Sequence, residues 1–268
     1  MRRLIVAVVV LVGLLVVADF SAAAAAESTI SRQMRDRLSL PEDPSVRVNG
    51  VSFLAQAATG RYRSVDVSME RLPVGSLRSR AVEVKIHDLR APWSELTGSA
   101  PAPRFRATDA RSVVTIGSGD VMRMVPRSTQ LSLATVDAND IDEIVLDGGD
   151  PTLRGLDPRN AALLTATMTV RGVEQPVEVL TALQVTNDGL IRLTPRDVRL
   201  TGGDDLTAAE TAALTRTFSL LIDPGKLPFR VTPTTLRVDS DGALELSGQV
   251  KDLIVGEGDR SSSSSAQG

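Results

Sequence analysis

Histidine occurs once in this chain, at His87, and cysteine does not occur at all. Those two counts remove most of the side-chain chemistry an enzyme of 268 residues could draw on. A Ser-His-Asp site would have His87 as its only base. That residue falls on the polar side of an alternating run in which Val82, Val84 and Ile86 oppose Glu83, Lys85 and His87. No serine stands in a G-x-S-x-G elbow, since Gly117-Ser118-Gly119 lacks the spacing. A zinc site of the usual kind needs several His or Cys ligands, and thiolate chemistry of any sort is excluded. Asp137, Asn139, Asp140, Asp142 and Glu143 are rich in oxygen ligands. A calcium loop, however, wants an oxygen donor fifth and a glycine sixth, where Ile141 and Asp142 stand. They read as a solvated turn, as does Gly202-Gly203-Asp204-Asp205. Gly117-x-Gly119 lacks the third glycine of a dinucleotide fingerprint, and there is no GxxxxGK[ST] loop. A carboxylate pair for glycoside hydrolysis or transfer stays open, because Asp and Glu number 33. Sugar sites lean on aromatic platforms, though, and the chain has only five Phe, one Tyr and one Trp. No metal and no cofactor are expected, and binding is favoured over catalysis.

The elements that would position a binding site follow from periodicity. Ile30, Met34 and Leu38 recur every four residues among charged neighbours, the stripe of a helix that Pro41 ends. Val46-Arg47-Val48 is a short alternating strand ending in a turn at Asn49-Gly50. Val51, Phe53, Leu54 and Ala55 then form an apolar turn before Thr59-Gly60. From Arg61 the period is two: Val65, Val67 and Met69 alternate with Asp66, Ser68 and Glu70, and the Val82–His87 run follows. Residues 91–106 hold three prolines and read as a loop. Trp93 at its start packs over a sheet edge or sits at a membrane interface. Residues 111–116 are a strand, 120–125 a short helix, and 131–136 and 141–146 short runs joined by a polar turn. Runs at 162–170, 177–185 and 190–200, the last two separated by Asn187-Asp188-Gly189, form a meander. Thr207-x-x-Glu210 has capping-box form and opens a helix whose stripe is Leu214, Phe218 and Leu221. Strands at 229–238 and 243–255 close the fold around a turn at 239–242.

The result is an α+β domain: a long, curved, mostly antiparallel sheet wrapped around an N-terminal helix and a second helix in the C-terminal half. A concave apolar surface roofed by such helices suits acyl chains, since each buried methylene contributes about 0.8 kcal/mol. Ile30, Met34, Leu38, Phe53, Leu54, Leu214, Phe218, Leu221 and Phe229 are the expected lipid contacts. Arg47, Arg61 and Arg63 are the expected partners of a phosphate head group.

Compartment follows from the N-terminus. Arg2-Arg3 precede an unbroken apolar run, Leu4 to Ala18, then Asp19 and an alanine cluster at 22–26. This is the form of a secretory signal. The run is short for a membrane span, and an uncleaved anchor is the alternative. Residues 1–26 are therefore a signal peptide or anchor, 27–255 a single exported domain, and 256–268 a serine-rich tail too polar to fold. Net charge is −3 with both signs interspersed, which argues against nucleic acid.

One stretch adds what periodicity cannot. Residues from Ala24-Ala25-Ala26-Glu27 through Leu40-Pro41-x-x-Pro44-Ser45-Val46-x-Val48-x-Gly50-x-x-Phe53-Leu54-x-Gln56 to Gly60-x-Tyr62 resemble the actinobacterial LmeA-like family. Leu227-Pro228-Phe229, Asp241-Gly242 and Leu246-x-Gly248 resemble its closing hairpin. The resemblance implies a tubular lipid-binding architecture of the bactericidal/permeability-increasing type, and a non-enzymatic phospholipid carrier. Phosphatidylinositol-type lipids, a membrane surface and support of lipomannan and envelope maintenance come with it. An envelope scaffold or accessory subunit that contacts glycolipid-synthesis proteins is the alternative. Val51-Ser52 departs from the Phe-Pro more usual in the family, so a looser turn is expected there.

Overall fold

The computed structural model describes residues 1–38, 40–71, 73–74, 77–96, 105–202, 205–223 and 233–255. In chain order the first elements are α1 (Arg2–Leu38), β1 (Ser45–Asn49), α2 (Phe53–Thr59), β2 (Arg61–Glu70), β3 (Pro73–Val74), β4 (Leu77–Arg78), β5 (Ala81–Arg90), α3 (Trp93–Leu96), β6 (Phe105–Ile116) and α4 (Ser118–Met122). There follow β7 (Ser128–Ala134), α5 (Ala138–Leu146), two 3-10 turns, β8 (Ala161–Val170), β9 (Val173–Val185), β10 (Ile191–Leu200), α6 (Ala208–Phe218), β11 (Leu220–Ile222), β12 (Pro233–Val238) and β13 (Leu244–Val255). The strands form antiparallel sheets ordered β1-β2-β5-β6-β13-β12, β11-β10-β9-β8-β7 and β3-β4. This is the α+β class expected from the sequence. The described residues divide into two compact units, one within 1–70, 83–111 and 250–255, the other within 71–82 and 112–249.

In the first unit, β1 pairs antiparallel with β2, placing Val46 opposite Val67 and Val48 opposite Val65. The alternation of β2 and β5 turns Val65, Val67 and Met69, and Val84 and Ile86, to the interior. In β5 the alternation breaks at Asp88, whose φ of 49° is left-handed, and resumes with Leu89 buried. An irregularity of this kind re-aims the residues beyond it.

In the second unit, β8 and β9 form the long hairpin of the meander, with Val170 opposite Val173. Register shifts at Thr129/Leu131 and Pro195/Asp197 bend the sheet. Where the sequence suggested a second short run at 141–146, the chain forms α5. Its start is a capping box in which Asp137 accepts from the Asn139 and Asp140 amides while Asp140 accepts from the Asp137 amide. Two aspartates do here what Thr and Glu do elsewhere, which is why the pattern was missed. Ile141 and Ile144 of α5 pack with Val136, Leu153, Ala161 and Leu180. The helix α6 begins as expected at Thr207, with Glu210 closing the box.

Candidate functional site

The stretch from Gly50 to Tyr62 is a joint in which each residue type has a physical task. Ser52 caps α2, accepting a hydrogen bond from the Ala55 amide (3.3 Å). The helix ends at Gly60, whose φ of 63° is the left-handed cap position that favours glycine. A side chain at Gly60 would also press on the Ala91 carbonyl, 3.1 Å away. The Gln56 amide group lies directly over Gly50, where a Cβ would be only 2.3 Å from its nitrogen. The Gln56 carbonyl oxygen accepts from the Arg63 amide (2.9 Å), locking α2 to β2. The apolar turn expected at 51–55 is therefore the first turn of a helix, capped at both ends.

α1 completes the joint. The Asp19 carboxylate accepts from the Ser52 hydroxyl (2.8 Å), the Phe53 amide (2.9 Å) and the Leu54 amide (2.8 Å). It satisfies donors that a seven-residue helix leaves open at its start. Glu27 accepts from the Val48 amide (2.7 Å), and the buried Ser31 hydroxyl donates to the Pro44 carbonyl (2.5 Å). Far from loosening the turn, Ser52 ties it to α1.

Two concavities flank α2. The first is an apolar groove of about 500 Å³. One wall is Ala22, Ala25, Ala26 and Thr29, one face of α1 at helical spacing; the other is Phe53, Leu54, Ala57 and Ala58 of α2, with Trp93 alongside. Phe53 is buried, and its ring meets Trp93 edge-to-face at 5.6 Å and 77°, a favoured aromatic arrangement. The alanines that read as a cleavage signature thus let α2 approach α1 and leave the space between them. The second is an open cleft of about 700 Å³. Arg61, Arg63 and Arg90 line it against the single carboxylate of Asp88, with Val51, Ser52 and Gln56 from the joint. Both volumes fall within the roughly 300–1,000 Å³ usual for small-molecule sites.

Of the expected contacts, Phe53 and Leu54 meet in the groove, and Arg61 and Arg63 in the cleft. Arg47 lies on β1 opposite Asp66 and is not among the cleft residues. Ile30 and Met34 are half-buried on α1, outside the groove wall, and Ser31 between them holds the Pro44 carbonyl. Leu214 and Phe218 are buried on α6 of the second unit, where that helix packs on β10, and Leu221 is exposed on β11. The side chain of Leu38 and all of Phe229 lie outside the described residues, as does the tail at 256–268. The sequence missed Arg90. Its place is set by strand pairing, with the Ala91 amide bonded to the Gly60 carbonyl (3.0 Å), which no local pattern announces.

The remaining polar chemistry is ordinary. His87 is half-exposed with Nδ1 at 3.3 Å from an Asp109 oxygen, and no cluster of three or more metal-ligating side chains exists among the described residues. The buried Tyr62 hydroxyl has no hydrogen-bond partner among the described residues. Arg171 donates two hydrogen bonds of 2.8 Å to the Glu210 carboxylate, which with the Thr207 donors holds the Glu210 pKa down at about 2.

No curated protein and no solved structure matches the chain. A family model does, from residue 17 inside α1 to residue 249 in β13. By that match, which takes in the whole of the α1–α2–β2 joint, the chain belongs to the LmeA-like phospholipid-binding family.

Proposed function

We infer that this protein binds phospholipid without chemical conversion, an acyl chain lying in the groove between α1 and α2 and the phosphate facing the arginines of the neighbouring cleft. The observation that supports this reading is the position of α2, with an apolar face at Phe53, Leu54, Ala57 and Ala58 and the Arg61–Arg63–Arg90 cleft beside its other face. Sequestering a methylene from water contributes about 0.8 kcal/mol, so a chain of ordinary length binds without a charged motif. Guanidinium groups pair bidentately with phosphate and supply selection for an anionic head. A phosphatidylinositol-type head fits that chemistry, and its hydroxyls would find the Asp88 carboxylate. The lipid is held or handed over on the outer side of the membrane, in support of envelope and lipomannan maintenance.

Native mass spectrometry of protein purified from its own envelope tests the reading. Protein carrying phospholipid adducts is expected, with less retained by the Phe53→Ala/Leu54→Ala variant at unchanged fold. A chain that carries no lipid, and takes up none from liposomes containing phosphatidylinositol, overturns it.

A further inference from the structure

The first half of α1 stands apart from everything else in its unit. Between Leu4 and Val17, twelve large aliphatic side chains are each 49–71% exposed, and none of the apolar window is buried within the protein. Contacts begin at Asp19, one residue after the apolar run ends. From there the same unbroken helix becomes structural: Asp19 caps α2, Ala22, Ala25 and Ala26 wall the groove, and Glu27 and Ser31 hold β1 and its approach. Cleavage after the alanines would strip three hydrogen bonds from the start of α2 and one wall from the groove.

The surface around that junction is apolar. Phe20 is 73% exposed, Val51 98%, Leu54 44% and Trp93 38%. These residues are fixed near one level, because Phe20 follows Asp19, Val51 precedes Ser52, whose hydroxyl bonds to the Asp19 carboxylate as the Leu54 amide does, and Trp93 meets Phe53 edge-to-face. Leu4 to Ala18 as a helix spans about 22 Å at 1.5 Å per residue, against a hydrocarbon core of about 30 Å. A span short by about 8 Å draws flanking residues toward the core or thins the bilayer. Phe20, Val51, Leu54 and Trp93 are the flanking residues available, and tryptophan favours that depth. The Asp19 carboxylate tolerates it because three donors already satisfy the charge. Arg2-Arg3 before the span remain on the cytoplasmic side, so the folded part emerges on the other.

We propose that α1 is retained as a membrane anchor and that its junction with α2 docks Phe20, Val51, Leu54 and Trp93 into the outer interfacial layer of the bilayer α1 crosses. The occupant of this surface is that bilayer, and the apolar groove opens beside it. Docking does not depend on the groove's carrying lipid, and the two are measured separately.

The full chain is purified from the membrane fraction, weighed intact, and placed in nanodiscs of phosphatidylcholine and phosphatidylglycerol brominated at shallow or deep acyl carbons. Trp93 is the sole tryptophan and reports on the surface unaltered. Because the chain has no cysteine, V51C carries an environment-sensitive fluorophore as a second reporter. The expected mass includes residues 2–26, Trp93 emission falls by half or more over shallow bromines and less over deep ones, and the V51C label shifts to the blue. A mature chain beginning after the alanines overturns retention. Trp93 emission and a V51C label indifferent to the bilayer overturn docking. A docked chain that carries no lipid adducts and takes up none from phosphatidylinositol liposomes overturns the proposed function and leaves the docking in place.

Discussion

α2 and α6 are both short helices with a hydroxyl cap and an inward aromatic, and they differ in what holds them. α6 has eleven residues, its own capping box and an arginine from the β8–β9 turn on its first turn, and it buries Leu214 and Phe218 beside the sheet of its own unit. α2 has seven residues, takes half of its cap from Asp19 thirty-four positions upstream, and leaves Leu54 facing outward. Isolated helices shorter than about 12–15 residues are marginal in water, so each depends on its surroundings. The surroundings of α6 are the protein's own core. Those of α2 are a second helix, an unfilled apolar space and an exposed rim. One helix completes a fold, whereas the other presents a surface.

The two helices separate most visibly at Phe218 of α6 and at Asp19, the distant cap of α2. Phe218 is fully buried, and Phe218→Ala should lower unfolding stability by about 3–5 kcal/mol, the range for emptying an aromatic core site. Urea unfolding followed by far-UV circular dichroism measures it, and a loss below about 1 kcal/mol would remove α6 from the core. Asp19→Ala should act locally instead. The amides of Phe53 and Leu54 lose their acceptor, so hydrogen exchange throughout α2 should speed up while α6 and the β8–β9 hairpin keep their protection. Unchanged exchange in α2 would mean that Ser52 caps it unaided and that α1 is not needed.

The same contrast explains what could be read from the chain. α6 announced itself, because Thr207, Glu210, Leu214 and Phe218 stand at the spacings a self-contained helix requires. The strands of the meander did so too, with Asn187-Asp188-Gly189 as punctuation. α2 did not, since Phe53-Leu54-Ala55 gives too few residues for a period to develop and half its cap is distant in sequence. α5 hid because its box is built from two aspartates. In the site, Phe53, Leu54, Arg61 and Arg63 were legible from the residue types around one turn. Arg90 and the alanine wall were not, because their places depend on strand pairing and on how closely two helices approach. Leu214 and Phe218 carry the same apolar signal as a groove-lining stripe, and periodicity does not distinguish a face turned to ligand from a face turned to core.

A gentler probe is pH. The Glu210 carboxyl is held at about 2 by the Arg171 guanidinium and the Thr207 donors, below its ordinary value of 4.5. A carboxyl depressed in the folded state binds its proton more readily when unfolded, so its contribution to stability is complete above pH 4.5 and fades as the pH falls from there toward about 2. The side chains are partly exposed and the contribution is correspondingly modest. Glu210→Gln removes the charge while keeping an oxygen acceptor. Its unfolding midpoint should lie below that of the parent at pH 6 and converge on it near pH 2. A gap that persists at low pH would assign the effect to packing rather than to the Arg171–Glu210 pair. The start of α6 would then rest on its neighbours as fully as the start of α2 rests on α1.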